Sequence, residues 1–365
     1  MANYILLSIS VVIGYTFRLL LPLPATQISL LDLSVLAFLI SSLIYHPQKI
    51  LSSLKYQYRL VLPILIFFLI DLISLNSSAH LGRPALLVGA LYLFRWLVYS
   101  LAFSFIFNPR LALLLIGSLT TATSLIQYLF WPDVRFLSAF QWDPHYYRVV
   151  GSFLDPGFTG LILVFTLIYL TIRPLKNLRF NRIFCVLAYI ALALTYSRSS
   201  YLAFLTTFAF IAYTKRSWVY LFKKLLLFAV TLLLLPRPGG EGVRLSRTNS
   251  VYARIYSWQQ AVDIFSRQPL FGVGFNTYRY VQKSDFVSHA GAGADSSLLF
   301  AAATTGIVGF SIYYWYLSRL AKTSRLLAVS VTAAITHSFF LNSLFYPLVI
   351  LWLSLLLKPK DYKSP

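Results

Sequence analysis

Long apolar segments separated by short polar ones dominate the sequence. Twelve of these segments are candidate membrane-spanning helices, because a helix needs about 20 mostly apolar residues to cross the bilayer core. They fall at about residues 4–23, 28–45, 60–75, 84–107, 111–131, 156–172, 183–197, 199–213, 218–235, 296–316, 326–343 and 345–357. Only a few polar residues separate the seventh from the eighth and the eleventh from the twelfth. The pattern predicts an all-α, polytopic integral membrane protein with about 12 transmembrane helices, within a range of 10 to 12.

Composition supports this prediction. Of the 365 residues, 58% are apolar and 11% are charged, against roughly 45–50% and about 25% in soluble domains. Twelve spans leave enough residues for loops but not for a second domain, so residues 1–365 are predicted to form a single transmembrane domain. The one cysteine, Cys185, lies in an apolar segment, which excludes an internal disulfide and a thiolate metal site.

Basic residues are unevenly distributed between alternate loops. With the N-terminus inside, 18 of the 31 Lys and Arg residues fall in inner segments, 11 in outer segments, and Arg18 and Arg95 within spans. Basic residues that flank spans are retained on the cytoplasmic side. We therefore expect a multi-pass protein of the cytoplasmic membrane, with both termini inside. This topology accounts for much of the formal charge of +21, so we expect membrane lipids and no nucleic acid as partners.

Two predicted outer connections are longer than turns. Residues 132–155 form the shorter one, and residues 237–295 form a large extracytoplasmic loop between the ninth and tenth spans. Apolar residues recur at helical spacing over about residues 250–265 of the large loop, which predicts an amphipathic helix lying over the membrane domain. The site of any chemistry is expected on this outer side.

The outer segments are rich in arginine, with ten Arg and one Lys against ten Lys and eight Arg on the inner side. A guanidinium binds phosphate through two parallel hydrogen bonds and is less strongly hydrated than ammonium, so this bias favours a phosphorylated ligand. Arg148, Arg198 and Arg254 stand at the outer ends of spans or in the predicted surface helix. The alternative is that each contacts lipid headgroups or pairs with a nearby acid.

Arg95 lies near the middle of the fourth predicted span. A charge at that depth costs about 2.5 kcal/mol or more and is normally paired or functional. Asp32 and Asp71, near the outer ends of neighbouring spans, are candidate partners. We expect a structural ion pair.

Asp295 and His289 are candidate general bases just before the tenth span. They flank a run of small residues, Ala-Gly-Ala-Gly-Ala, and a base placed there can deprotonate an acceptor hydroxyl. We expect nearby arginines to keep Asp295 ionised, with a pKa near 3.9. The alternative is that Asp295 and Ser296 only cap the following helix. No paired histidine motif occurs and carboxylates are sparse, so we expect no metal and no other cofactor.

Six short motifs follow one another along the chain. They are Arg148-x-x-Gly151 with Asp155-Pro156, Leu194-Thr-Tyr-Ser-Arg198-Ser, Arg254-x-x-x-Trp258, Pro269-Leu-Phe-Gly272-Val-Gly274, Asp295-Ser-Ser-Leu-Leu and Thr305-Gly306-Ile-Val-Gly309. In order, spacing and topology this part of the chain resembles the O-antigen ligase and O-antigen polymerase family of polytopic membrane glycosyltransferases. The resemblance covers under half of the chain.

The resemblance implies transfer of a glycan from undecaprenyl diphosphate to an acceptor hydroxyl on the extracytoplasmic face, without metal or nucleotide sugar. It implies that Arg148, Arg198 and Arg254 hold the diphosphate, and it places Trp258 in the substrate-binding site. Ligases of the family usually carry His-Asn where this chain has Asp295-Ser296. The implied catalytic base is therefore Asp295, or His289 six residues earlier.

A transporter or flippase of lipid-linked sugars is the alternative function, since it also needs many spans and a route for a diphosphate. Transporters usually carry repeated halves with paired broken helices. This sequence has no recognisable internal repeat and a single large loop, which favours the enzyme. The acceptor, whether a glycan, a lipid or a protein, is not specified by any motif. Ligase, polysaccharide polymerase and protein O-glycosyltransferase therefore stay open.

Overall fold

The computed structural model describes residues 1–20, 28–140, 142–236, 238–282 and 293–357. These residues form sixteen α-helices and no β-strand, apart from an isolated bridge between Asp133 and Tyr146. The helices are α1 (Ala2–Ile13), α2 (Thr16–Leu20), α3 (Leu30–Tyr45), α4 (Pro47–Tyr56), α5 (Tyr58–Ser77), α6 (Arg83–Ser100), α7 (Pro109–Phe130), α8 (Pro156–Ile172), α9 (Leu178–Ala193), α10 (Arg198–Lys215), α11 (Trp218–Leu234), α12 (Asn249–Arg267), α13 (Tyr278–Gln282), α14 (Ser297–Thr323), α15 (Arg325–Ser338) and α16 (Pro347–Leu355).

Each of the twelve apolar segments contains at least one helix, so the prediction of an all-α protein is confirmed, and the apolar helices are compatible with a membrane protein. Within the described ranges, three helices are long and apolar enough to cross a membrane, namely Tyr58–Asn76, Pro109–Phe130 and Ser297–Thr323. Helices α3 and α4 meet the same criterion together, although a bend of 106° separates them. The number of twelve spans and the sidedness of the loops stay predictions.

Helices α8 and α16 lie at the centre of the molecule. Every residue of α8 from Pro156 to Leu170 is buried, and Trp352 of α16 stacks on Phe165 of α8 with ring centroids 5.8 Å apart. In contrast, α11 contains no buried residue, and its Leu233 is 78% exposed. Apolar surface of this kind is stable against lipid and not against water.

The first apolar segment is interrupted between α1 and α2, whereas the sequence predicts one span over residues 4–23. Gly14 at the interruption has a φ of 54°, and a side chain there would lie 2.0 Å from the carbonyl oxygen of Ser152. The Tyr15 N–H donates a hydrogen bond to the same oxygen at 2.9 Å. Only glycine permits this backbone contact, which ends α1 early and places Tyr15 and Arg18 beside the cavity described below.

Helix α14 is broken at Gly306, where φ is 65° and ψ is −173°. The main chain of residues 269–274 supplies the hydrogen bonds that the break leaves open. Its carbonyl groups accept from the N–H groups of Ile307 and Val308, and its N–H groups donate to the carbonyls of Ala303 and Thr304, at 2.8–3.3 Å. A Cβ on Gly272 or on Gly306 would lie 2.3–2.6 Å from backbone atoms of the opposite segment. Two of the sequence motifs therefore pack directly on each other, and we call this contact the glycine clasp.

The ion pair predicted for Arg95 is confirmed with Asp32 as its partner. The Arg95 Nε lies 2.7 Å from an Asp32 carboxylate oxygen, and Asp32 also accepts hydrogen bonds from the hydroxyl of Tyr99 and the N–H of Ser29. The pair links α3 to α6. Asp71, the other candidate partner, is fully buried, and its carboxylate has no hydrogen-bond partner among the described residues.

Candidate active site

Asp295 lines a cavity of about 360 Å³ at the start of α14. Its N–H donates a hydrogen bond to the Ser257 hydroxyl of α12 at 3.0 Å. The residue that caps α14 is Ser296, whose hydroxyl accepts from the Leu299 N–H. The carboxylate of Asp295 is half-buried and makes no hydrogen bond to any residue that the structure describes. The capping alternative therefore applies to Ser296, and the Asp295 carboxylate remains available to a ligand.

The cavity is lined by charged and aromatic side chains. Its carboxylates are those of Asp143, Asp155 and Asp295, and its arginines are Arg18, Arg95 and Arg279. Its aromatic residues are Tyr15, Tyr92, Trp96, Tyr99, Trp142, Phe158, Phe275, Phe300, Phe345 and Tyr346. Ligand pockets range over about 300–1,000 Å³, so this volume suits a sugar better than a whole lipid-linked glycan.

Arg148 is buried beside the turn between α9 and α10. It is 6% exposed, and its guanidinium donates to the carbonyl oxygens of Thr195 at 3.0 Å and Tyr196 at 3.4 Å. Burial and the neighbouring Arg247 lower the pKa of Arg148 to about 9, although Asp155 acts in the opposite direction. Two positively charged groups, Arg148 and Arg247, therefore lie near each other beside this turn.

His145 lies in the same positive environment. Its Nδ1 is 3.5 Å from a guanidinium nitrogen of Arg148. Burial, Arg148 and Arg247 lower the pKa of His145 to about 3. The imidazole is therefore neutral at pH 7 and adds no charge to the cluster.

Arg198 stands at the first position of α10 and holds part of the large loop. Its guanidinium donates to the carbonyl oxygens of Leu245 and Arg247 at 3.3 and 3.0 Å, and to the Ser250 hydroxyl at 2.7 Å. The Ser197 hydroxyl caps the helix by accepting from the Ser200 N–H. The sequence predicts a ligand-binding arginine at this position, and the structure gives its side chain a structural role as well.

Arg254 and Trp258 lie one helical turn apart on α12, within the segment where the sequence predicts an amphipathic helix. Both pack on Phe340, with the guanidinium carbon of Arg254 5.7 Å and the indole centroid of Trp258 6.3 Å from the phenyl centroid. The indole Nε1 is buried and has no hydrogen-bond partner among the described residues. Burial lowers the pKa of Arg254, while Asp295 raises it and Arg198 lowers it. Arg254 therefore interacts electrostatically with both Asp295 and Arg198.

The pKa of Asp295 departs from the sequence-based expectation. Burial raises it above the ordinary value of 3.8, Asp143 adds to the increase, and Arg254 opposes it. The expectation that arginines hold this pKa near 3.9 is wrong, because the cost of burying the charge outweighs the attraction of Arg254.

The structure brings most of the predicted site residues to one side of the molecule. Arg148 contacts the α9–α10 turn and Arg198 begins α10 directly after it, while Arg254 interacts electrostatically with both Arg198 and Asp295. None of these three arginines lines the cavity. His289 lies outside the described residues. No group of three or more His, Cys, Asp or Glu side chains in the described ranges could hold a metal ion, and metal independence stays a prediction.

Four further residues at the site escaped the sequence analysis. Asp155 belongs to a recognised motif, and its carboxylate lines the cavity while it caps α8 by accepting from two backbone N–H groups. Arg247 was counted only as one of many outer arginines. Arg18 and Arg279 are far apart in the chain, and no spacing links them. They meet only because the interruption after α1 and the glycine clasp bring their segments to one cavity.

The comparisons with known proteins agree with the sequence motifs. Residues 183–314, about a third of the chain, match the family model described as O-antigen ligase. The match includes Arg198, Arg254, Trp258 and Asp295, and it begins after Arg148. A search of curated proteins found no match. The match to the family model confirms that residues 183–314 resemble the O-antigen ligase family.

Proposed function

We propose that the protein transfers a glycan from undecaprenyl diphosphate to an acceptor hydroxyl on the extracytoplasmic face of the cytoplasmic membrane, as an O-antigen ligase or a polysaccharide polymerase does. The observation that carries the proposal is the arginine cluster next to Asp295. Arg148, Arg198, Arg247 and Arg254 converge around the α9–α10 turn. A diphosphate bound there would be attracted by the guanidinium groups, which bind phosphate oxygens through paired hydrogen bonds.

The reaction is a displacement at the anomeric carbon. The acceptor oxygen forms a bond to that carbon, the bond to the diphosphate oxygen breaks, and its electron pair leaves with the diphosphate. Arg148, Arg198 and Arg254 stabilise the negative charge that accumulates on the leaving group, and Trp258 contacts the substrate. Such preorganised positive groups lower the barrier most where water is excluded, and the burial of Arg148 supports a dry environment.

Asp295 deprotonates the acceptor hydroxyl in this proposal, with His289 as the alternative base. The carboxylate of Asp295 faces a sugar-sized cavity and has Arg254 close by. Its raised pKa suits a general base better than an ordinary aspartate, because a carboxylate with a higher pKa accepts a proton more readily. The reaction needs no metal in this scheme.

The test is a transfer assay with the purified full-length protein in detergent. A labelled glycan on a polyprenyl diphosphate is incubated with lipid, glycan and protein acceptors, with and without a metal chelator. We expect label in one acceptor class, release of the polyprenyl diphosphate, and an unchanged rate with chelator. Movement of the intact lipid-linked glycan across vesicle membranes, with no glycosylated product, would indicate the transporter instead.

A further inference from the structure

Arg18 has an unusual environment for an arginine at the wall of a cavity. Its guanidinium carbon lies 4.5 Å from the ring centroid of Tyr15 and 5.8 Å from that of Trp142. No hydrogen bond or ion pair joins it to any residue that the structure describes. Its titratable neighbours include Tyr15, Tyr92, Arg95 and Tyr346. A guanidinium stacked on aromatic rings keeps its N–H edge free for a planar anion.

The acids nearby are already engaged. Asp32 is held by Arg95, Tyr99 and Ser29, and Asp155 accepts the two N–H bonds that cap α8. Neither forms an ion pair with Arg18 in the part of the chain that the structure describes.

Arg279 brings a second arginine to the same cavity. It is 6% exposed and reaches the wall from α13. Asp143 lines the same cavity and acts electrostatically on Asp295. The lining of the cavity therefore combines Asp143 and Asp295 with the two arginines Arg18 and Arg279.

We propose that Arg18 and Arg279 bind an acidic group, a carboxylate or a phosphate, on the acceptor saccharide whose hydroxyl reaches Asp295. This inference rests on the proposed function, in which the donor diphosphate occupies the separate arginine cluster at the α9–α10 turn. A cavity of about 360 Å³ with aromatic walls holds a sugar ring. The paired arginines then select an acidic acceptor over a neutral one, because a guanidinium pairs with carboxylate or phosphate through two hydrogen bonds.

The first experiment measures binding without catalysis. The full chain, in an uncharged detergent, is titrated with glucuronate, glucose 6-phosphate and glucose while intrinsic fluorescence is recorded, and Trp142→Phe identifies the reporting residue. We expect saturable binding of at least one acidic sugar and none of glucose over the same range. The acidic sugar that binds more tightly shows whether the acidic group of the natural acceptor is a carboxylate or a phosphate.

Variants test which arginines are responsible. Arg18→Gln and Arg279→Gln should each weaken binding of the acidic sugar by about tenfold to a hundredfold, the usual effect of losing a charged hydrogen-bond donor. Arg135→Gln is the matched control, because it makes the same change at an exposed arginine outside the cavity and should leave binding unchanged. Arg18→Lys, which keeps the charge, should bind more tightly than Arg18→Gln if the variants are folded.

Three results would overturn the inference. The first is equal binding of glucose and the acidic sugars, and the second is no saturable binding of either acidic sugar. The third is displacement of the bound acidic sugar by inorganic pyrophosphate, if the affinity for pyrophosphate depends on Arg18 and not on Arg254. The last result would make the cavity the donor site. A transfer assay separates the two proposals. Sugar binding that depends on the arginines, without transfer to any acceptor, would reject the proposed glycosyltransferase function. Transfer to an acidic acceptor at a normal rate by Arg18→Gln would reject the proposed binding site for the acidic group.

Discussion

Replacing Asp295 by Asn removes a proton acceptor and little else. Asn has nearly the same shape, and the hydrogen bond that the structure gives residue 295 runs from its backbone N–H to Ser257, which Asn retains. A general base contributes typically 10²–10⁴-fold to a rate, or about 3–5 kcal/mol of activation free energy at 1.36 kcal/mol per tenfold. We therefore expect transfer to fall by that factor while the protein still folds.

Folding stability gives an independent check with a definite sign. Burial raises the pKa of Asp295 in the folded protein, so the folded state holds this proton more tightly than the unfolded state. The contribution of Asp295 to stability is then greatest below the unfolded pKa and decreases as pH rises through the folded pKa. Asn cannot ionise, so Asp295→Asn should unfold at the same or a higher temperature than the wild type at pH 7.

The assay is the initial rate of transfer at saturating lipid-linked donor between pH 4 and pH 8, together with thermal unfolding. The wild-type rate should fall as pH decreases through the raised pKa of Asp295, and the low rate of Asp295→Asn should change little. Ser296→Ala is the control: loss of the helix cap costs about 0.5–2 kcal/mol of stability, but transfer should continue. An active Asp295→Asn beside an inactive His289→Ala would refute the reasoning and make His289 the base.

Three other predictions concern the diphosphate site, the glycine clasp and the topology. Arg198→Lys keeps the charge but loses the planar guanidinium that can form two parallel hydrogen bonds, so transfer should fall at least tenfold at normal protein levels. Near-normal rates for the Lys variants of Arg148, Arg198 and Arg254 would indicate that these arginines contact lipid headgroups instead. Gly306→Ala places an alanine at a positive φ and its Cβ against backbone atoms, so it should lower the unfolding temperature by several degrees. Gly239→Ala is the control and should not lower it, because the space around Gly239 is open. A cysteine at Gly240 should react with an impermeant reagent on intact cells and one at Lys176 should not; the reverse pattern would invert the topology.

Local patterns in the sequence were sufficient to predict most of the long helices. Helix α8 spans Pro156–Ile172, and the sequence predicts a span over residues 156–172, because Asp155-Pro156 is a strong helix start and Arg173-Pro174 a strong stop. The ion pair of Arg95 was predictable for a similar reason, since a charge in an apolar segment needs a partner. That the partner is Asp32 and not Asp71 could not be predicted, because it depends on the packing of α3 against α6.

The candidate site was only partly predictable. Family motifs indicated Asp295 and the three predicted arginines, but the pKa of Asp295 depends on burial, which no motif reports. The interruption after α1 was missed because Gly14 lies in an otherwise apolar segment and is tolerated in helices. The helix is interrupted at Gly14 because of a backbone contact with Ser152, which is far away in the sequence. Arg18 was therefore assigned to a span and not to the cavity.

Breaks in apolar helices explain how so apolar a chain builds a polar cavity. A helix buried in protein or lipid satisfies its own main-chain hydrogen bonds, and a break is stable only where other groups replace them. At Gly14 the carbonyl of Ser152 does so, and at Gly306 residues 269–274 do so. The first break places Arg18 at the cavity, and the second fixes the chain that leads to Arg279. Because each break depends on a backbone contact that a Cβ would block, the positions of both arginines depend on glycines that touch no substrate.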